Sequence, residues 1–378
     1  MNDNGGKSEN NQETNIMKRI LVTGSGGAPT LNFVRSLREA DPKREKYYMV
    51  GIDCDEYTIH RSECDKTYLC PKANDKNYIP FVKHIISKEK IDFIHTQPEI
   101  EVFTVGKHRD EITALGCKVF MPKQSTIEIL RDKSKSYKVW KEAGIIVPEN
   151  IEVNSEDDLK MAYEKFGQEN IWIRETIGAA GKGSLSRPDF LFAKQYIESR
   201  NGWGKTVAAQ HLTSRTTTWQ SLWNNGKLVA GQGRERKSWE MGNRTQSGVT
   251  GLTGTGEIVN DTAVAELAKK CILAVDKDPQ GIFSVDFTYD ANGVPNPTEI
   301  NIGKFFTTHF FITKTGCNMP EILVDLAFDE YKGLYDIIDP CKEGYLWVRG
   351  MDVHPVLIRK EAVEQKKNEY KEILRRIS

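Results

Sequence analysis

The sequence predicts a chain in two parts, an α/β front unit on a parallel sheet and a mixed, largely antiparallel α+β body. Three observations carry this. From residue 18 to about 122, short apolar strands alternate with helical stretches. From about residue 205, strands follow one another directly, joined by turn residues such as Asn224-Asn225-Gly226. The 378 residues are enough for two or three domains with sizeable cores.

The elements follow in order. Residues 1–16 are polar, Asn-rich and without the apolar core of a signal peptide, so a disordered tail is expected there. "RILVTG" is a strand ending in glycine, followed by "GSGGAPT" and a helix through Phe33, Val34 and Leu37. "YYMVGIDCD", "IDFIHTQ" and "CKVFMP" are further strands, with a helix through Ile79, Val82, Ile85 and Ile86 after the first of them. "TIEILRDKSKSYKVWKEAG" is expected as a helix stopped by Gly144, and "IIVPENIEV" as an extended crossing. Ser155 and Asp158 are spaced like a capping box. "GIFSVDFTYD" and "VPNPTEINI" flank "DANG", a hairpin signal, with a helix through Val264, Leu267, Ala268 and Cys271 before it. A helix opened by Asn318 and Pro320 comes after it.

Charge narrows the partners. Lys plus Arg and Asp plus Glu both number 53, so nothing in the net charge draws the chain to nucleic acid or anionic lipid. No stretch approaches the roughly 18 uninterrupted apolar residues of a membrane helix. The seven cysteines include no C-x-x-C pair, which argues against a disulfide framework or structural zinc and for a reducing, cytoplasmic setting.

Three motifs compete for chemistry. "GSGGAP" at 24–29, with Asp53 downstream, partly matches a dinucleotide fingerprint, but Pro29 replaces its third glycine. It is read either as a tight strand-to-helix turn or as the cofactor site of an NAD(P)-dependent oxidoreductase. "IWIRETIGAAGKGS" at 171–184 is not a Walker A loop, because no glycine stands at the upstream position and Gly183 follows Lys182. It is read either as a surface hairpin or as a flap whose Gly178, Gly181 and Gly183 let backbone N–H groups approach phosphates, with Arg174 on the entering strand. Asp286, Glu299 and Asn301 lie on the two arms of the "DANG" hairpin, residues 299 and 301 on one face. Three hard oxygen donors suit Mg²⁺ (or Mn²⁺), and that reading is preferred to a solvated sheet face. "GRERKSWEMGNR", with the Gly/Thr/Ser-rich "TQSGVTGLTGTGE" after it, is read either as a solvated charge run and a mobile loop or as a substrate loop in which Arg234 and Arg236, two apart and so on one side of a strand, grip a phosphate or a substrate acid, the second reading being preferred. Trp219 and Trp223 are read as core.

The order of these motifs resembles the ATP-grasp superfamily, most closely its carbamoyl-phosphate-synthase-like, carboxylate–amine ligase branch, over about residues 17–330. The resemblance implies a Rossmann-like pre-ATP-grasp domain at 17–122 and a two-lobed ATP-grasp domain at 123–330. Its small flap lobe would span about 150–212 and its metal-bearing lobe about 213–330, with a C-terminal extension, 331–378, ending in a helix. It implies ATP contacts for Lys133, Arg174, Gly178, Gly181, Lys182, Gly183 and Ser184, and adenine reading at the hinge by Gln210, His211 and Leu212. Asp286, Glu299 and Asn301 fall on the family's metal positions. Arg234, Arg236 and Lys304 are the candidate catalytic cations. Two departures stand out: Gln210 replaces the usual hinge glutamate, and Asn301-Ile302-Gly303-Lys304 replaces Asn-Pro-Arg, so Lys304 supplies charge without a bidentate fork. The implied reaction joins a small carboxylate to an amine through an acyl phosphate, with no nucleic acid and no membrane involved. A homodimer is compatible with it. A non-catalytic nucleotide-binding module is the other alternative. "HTQPEIE" at 95–101 is placed toward the substrate.

Overall fold

A computed structural model describes residues 17–178, 183–350 and 358–377. The expected tail at 1–16 lies outside them, as do Gly181 and Lys182 of the flap. Among the described residues no helix is long and apolar enough to cross a membrane.

The front sheet carries four parallel strands, β1 (Lys18–Thr23), β2 (Tyr47–Asp53), β3 (Lys66–Leu69) and β4 (Phe93–His95), in the order β3-β2-β1-β4. Buried on both faces, β1 and β2 read as continuous apolar runs. Helices α1 (Ala28–Ala40) and α2 (Tyr78–Glu89) make the crossovers. α3 (Glu99–Lys107) and the short α4 (Arg109–Thr113) follow β4. "CKVFMP", expected as a strand, forms only an isolated bridge between Lys118 and Phe93.

The helix expected over "TIEILRDKSKSYKVWKEAG" is two, α5 (Gln124–Leu130) and α6 (Lys133–Glu142). Asp132 divides them, because its carboxylate accepts the amides of Ser134 and Lys135 and so caps a new N-terminus.

The small sheet, ordered β5-β8-β6-β7, contains β5 (Asn150–Val153), β6 (Ile171–Glu175), β7 (Ser184–Ser186) and β8 (Thr206–Gln210), all antiparallel. Its helices are α7 (Glu156–Phe166), capped by the Ser155 hydroxyl, and α8 (Phe190–Ser199). The large sheet runs β13-β12-β9-β10-β11-β15, with β14 pairing β10. Its strands are β9 (Thr216–Asn224), β10 (Lys227–Trp239), β11 (Thr253–Val259), β12 (Gly281–Tyr289), β13 (Pro295–Ile302), β14 (Ile337–Ile338) and β15 (Leu346–Val348). Helix α9 (Thr262–Val275) packs on it, α10 (His309–Lys314) and α11 (Met319–Ala327) lie against α1, and α12 (Lys360–Ile377) lies against β3 and α2. Part of the run expected as a mobile loop, "TQSGVTGLTGTGE", is strand β11, paired with β10.

Two of the large sheet's irregularities set the register that matters for the charged residues. One, near Val229, leaves Arg234 opposite Thr218 rather than one residue away. The other leaves Thr298 outside the ladder and sets Glu299 opposite Asp286. Val285, Phe287, Ile300 and Ile302 then face the core with α9, and Asp286, Glu299 and Asn301 face the other way. Trp219 and Trp223 are buried in that core.

Candidate active site

A cleft of about 430 Å³ runs between the small and large sheets. One end is formed by Pro148, Trp172 and Ala209 to Leu212, and the other by Arg174, Arg236, Asp286 and Glu299.

The acidic end is built by register. Arg234, Thr218, Asp286 and Glu299 stand in one row across β10, β9, β12 and β13. Asp286 accepts from the Thr218 hydroxyl and, at 3.0 Å, from the Asn301 amide. Burial raises the Asp286 carboxyl above its ordinary range; Arg236 opposes this and the Glu299 charge adds to it. For Glu299, burial pushes the same way, but Lys133 at 3.2 Å and Arg174 outweigh it and hold the carboxyl low. Among the described residues no group of three or more His, Cys, Asp or Glu gathers as a metal site. The set here is two carboxylates and an amide, oxygen donors of the kind Mg²⁺ takes when phosphates complete its shell, so the residues fit that ion.

Four cations come from three elements, α6, β6 and β10. Lys133, buried at the start of α6, reaches Glu299 and the Gly178 carbonyl at 3.0 Å. Arg174 on β6 donates to the Tyr137 hydroxyl and, at 2.7 Å, to the Thr298 carbonyl. That carbonyl belongs to the bulge residue. Arg234 is 1% exposed, and its guanidinium is served by the hydroxyls of Thr253 and Thr218, the latter at 2.6 Å. Arg236 donates to Thr216 at 2.7 Å and Thr253 at 3.0 Å, and stacks on Trp239 at 3.6 Å. Among the described residues neither arginine has a carboxylate in ion-pair contact. Burial pushes Arg234 down to about 9, with Arg236 adding to the effect, and burial also lowers Arg236. Two guanidiniums held this way cost several kcal/mol of desolvation unless an anion joins them.

The flap root is ordinary antiparallel structure. Ser184 pairs with Arg174, and Gly183 takes φ +79°, where a side chain would strike Glu175. At the hinge, the amide of Gln210 donates to Glu149 and that of His211 to Asn170, both at 2.8 Å. The Gln210 side chain is exposed. The His211 ring bonds Ser186 of β7 at 3.1 Å and meets Trp172 edge-on. Lys304 lies apart from the arginines, 3.7 Å from Glu99, which also pairs with Arg131 at 3.1 Å. Arg174, Arg236, Asp286, Glu299 and the hinge thus share one cleft, Lys133 and Arg234 reach its acidic end from behind, and Lys304 stands beside it with the front unit.

Sequence reasoning missed Thr216, Thr218, Thr253 and Tyr137, which hold the arginines. The alternating threonines of "TTTWQ" were the available signal, but pairing them with Arg234 and Arg236 needs the bulge near Val229.

The dinucleotide reading of "GSGGAP" is not favoured. Asp53 accepts the Gly26 amide at 3.1 Å, and a Cβ at Gly26 would lie 2.0 Å from the Thr58 carbonyl oxygen, so the chain's own residues fill the space a pyrophosphate needs. The crevice between β1 and β4, where the strand order reverses, receives Phe305 and Thr307 of the body.

A family described as the PylC-like N-terminal domain matches residues 20–120. A sequence search of curated proteins finds no match. Solved structures share the fold at low identity. N5-carboxyaminoimidazole synthetase from Staphylococcus aureus, complexed with ADP, is 17% identical, with a TM-score of 0.62 over 84% of this chain and 78% of that one. The biotin carboxylase domain dimer of Hydrogenobacter thermophilus 2-oxoglutarate carboxylase, in complex with MgADP, ADP and bicarbonate, is 13% identical, with a TM-score of 0.64 over 87% and 73%. L-amino acid ligase from Bacillus licheniformis is 12% identical, with a TM-score of 0.62 over 87% and 78%. The chain shares its fold with these three structures, and that fold is the two-part α/β and α+β architecture its motifs implied.

Proposed function

We propose that this chain, an ATP-grasp fold with a PylC-like N-terminal domain, is an ATP-dependent ligase that activates a carboxylate as an acyl phosphate and joins it to an amine. The observation that carries the proposal is the pair Arg234 and Arg236. Among the described residues their hydrogen bonds go to threonine hydroxyls and neither forms an ion pair, beside a cleft that ends in Asp286 and Glu299. Such a site has a surplus of fixed positive charge for a polyphosphate and an anionic acid.

ATP takes its adenine to Gln210, His211 and Leu212 and its phosphates to Arg174, Lys133 and the flap of Gly178 to Ser184, of which Gly181 and Lys182 are assigned from sequence alone. Mg²⁺ bound by Asp286, Glu299 and Asn301 supplies neutralisation of the phosphate charge when present. A substrate carboxylate oxygen attacks the γ-phosphorus, the bond to ADP breaks, and Arg236 and Arg234 balance the charge that develops. The amine then attacks the acyl carbon and inorganic phosphate departs, with Lys304 beside the leaving group. No protein nucleophile is needed; the chain contributes position and electrostatics.

The test is ADP release with pools of acids and amines, with and without Mg²⁺. Glu299→Gln and Asn301→Ala are each expected to reduce turnover at least a hundredfold. Turnover indifferent to both substitutions removes the metal assignment. Stabilisation by NAD and not by ATP in thermal denaturation removes the ligase reading.

A further inference from the structure

The segment 95–101, which the sequence placed toward the substrate, grips the body's 303–308 loop. The Gln97 side chain, 3% exposed, bonds Phe305 twice, donating to its carbonyl at 2.6 Å and accepting its amide at 3.4 Å. His95 fixes the same Gln97 oxygen at 3.1 Å. Asn32 on α1 donates to the Thr307 carbonyl. The Phe305 ring lies against Phe33 and His95, with centroids at 6.0 and 5.7 Å. Glu99 is the first residue of α3 and faces Lys304 at 3.7 Å while holding Arg131 at 3.1 Å. Thus the residue after Lys304 is held through its main chain and Lys304 through its charge, both by the front unit.

We infer that Gln97 and Glu99 are positioning residues for Lys304: the front domain's crevice binds no cofactor and instead sets where that cation stands relative to the reacting phosphate. The inference rests on the ligase reading for Lys304's role. The physical reason is that lysine is a flexible point charge with no fork to fix its direction, so its position must come from its neighbours. Gly303 precedes it at φ +69° with its amide bonded to the Ile282 carbonyl at 2.8 Å, so the large sheet sets where the loop leaves β13 and the front unit holds the part beyond.

The test uses the full chain. Glu99→Gln and Gln97→Ala are expected to lower kcat for ADP release about tenfold or more while leaving KM for ATP and affinity for MgADP within about twofold. Glu99→Asp should restore part of the rate. Combining Glu99→Gln with Lys304→Gln should be no slower than Lys304→Gln alone, because a residue acting through Lys304 has nothing left to position. Full additivity of the two losses, or unchanged kcat in Glu99→Gln, overturns the inference. Glu99→Gln conserves shape on a part-exposed side chain and serves where Gln97→Ala does not fold. Hydrogen exchange of the peptide spanning 303–308 is read in the same proteins with or without turnover. Faster exchange in the variants is expected, and unchanged exchange in both also overturns the inference. If the wild type binds MgADP but turns over no acid, the ligase reading fails while the exchange result still decides the positioning.

Discussion

Arg234 shows what one residue reveals about the site. A side chain that is 1% exposed and carries a full charge destabilises a fold unless function holds it there. Replacing it with methionine removes the desolvation cost and keeps most of the volume. Arg234→Met is therefore expected to leave the melting temperature equal or higher and to lower ADP release by about a hundredfold or more. Calorimetry beside the turnover assay checks this; a large fall in melting temperature would show that Arg234 serves the core. Glu101 is a second buried charge, 5% exposed, outside the cleft. Burial pushes its carboxyl from an ordinary 4.5 up to about 7, against the pull of Thr23. A raised carboxyl contributes its stability below the unfolded value and loses it as pH climbs through the folded one, so the loss falls between about 4.5 and about 7. Glu101→Gln should then gain on the order of 3 kcal/mol at pH 8 and little at pH 4.5. Urea denaturation at both pH values decides, and an equal gain at both would contradict the assignment.

At the scale of elements, the sequence was informative where pattern and burial agree. Strands β1 and β2, the hairpin around Asp290 to Gly293 and the helix opened by Asn318 all follow from local signals, and the structure contains each. Its limits are physical. Asp132 lies within a helical pattern, and only its side chain's choice of the Ser134 and Lys135 amides splits that pattern in two. "CKVFMP" has strand composition but lacks a partner beyond one bridge. The facing of Asp286 and Glu299 depends on Thr298 leaving the ladder; without that bulge, alternation would turn Glu299 toward the core. No residue type announces the bulge, although its exposed carbonyl is what Arg174 uses. The C-terminal helix was legible as a helix but not its seat. α12 lies on β3 and α2 through buried Ile373 and Val363, with Tyr370 against Phe81. Ile373→Ala should cost about 2–4 kcal/mol in urea denaturation, the usual range for a large aliphatic lost from a core. A cost below about 1 kcal/mol would mean that the helix is only loosely seated.

Across the whole molecule, the cleft between the two sheets is bridged by its own cations. Lys133 on α6 holds the flap root at Gly178 and the large sheet at Glu299, and Arg174 on the small sheet holds Thr298 on the large one. Without nucleotide, Lys133 and Arg174 act as the counter-ions of Glu299, which explains why it stays charged beside Asp286, while Arg236 offsets part of the burial of Asp286. A divalent cation arriving alone therefore meets a site that is already largely neutralised, and gains little by binding. On the proposed function, the phosphates of ATP are expected to draw Lys133 away and leave the cation a less neutralised pair of carboxylates to join. Metal and nucleotide should accordingly bind together rather than in either order, a coupling that must be reciprocal. Lys133→Met weakens this arrangement by removing the nearest counter-charge of Glu299. In thermal denaturation, millimolar MgCl₂ alone is expected to shift wild type by less than about 1 °C and Lys133→Met upward by several degrees, since each 1 kcal/mol moves a domain of this size by roughly 2–4 °C. MgADP should stabilise wild type well beyond the sum of Mg²⁺ and ADP given separately. An equal response of both proteins to Mg²⁺ alone would mean that Lys133 does not guard the acidic pair, and that the lobes are joined for packing rather than for nucleotide exchange.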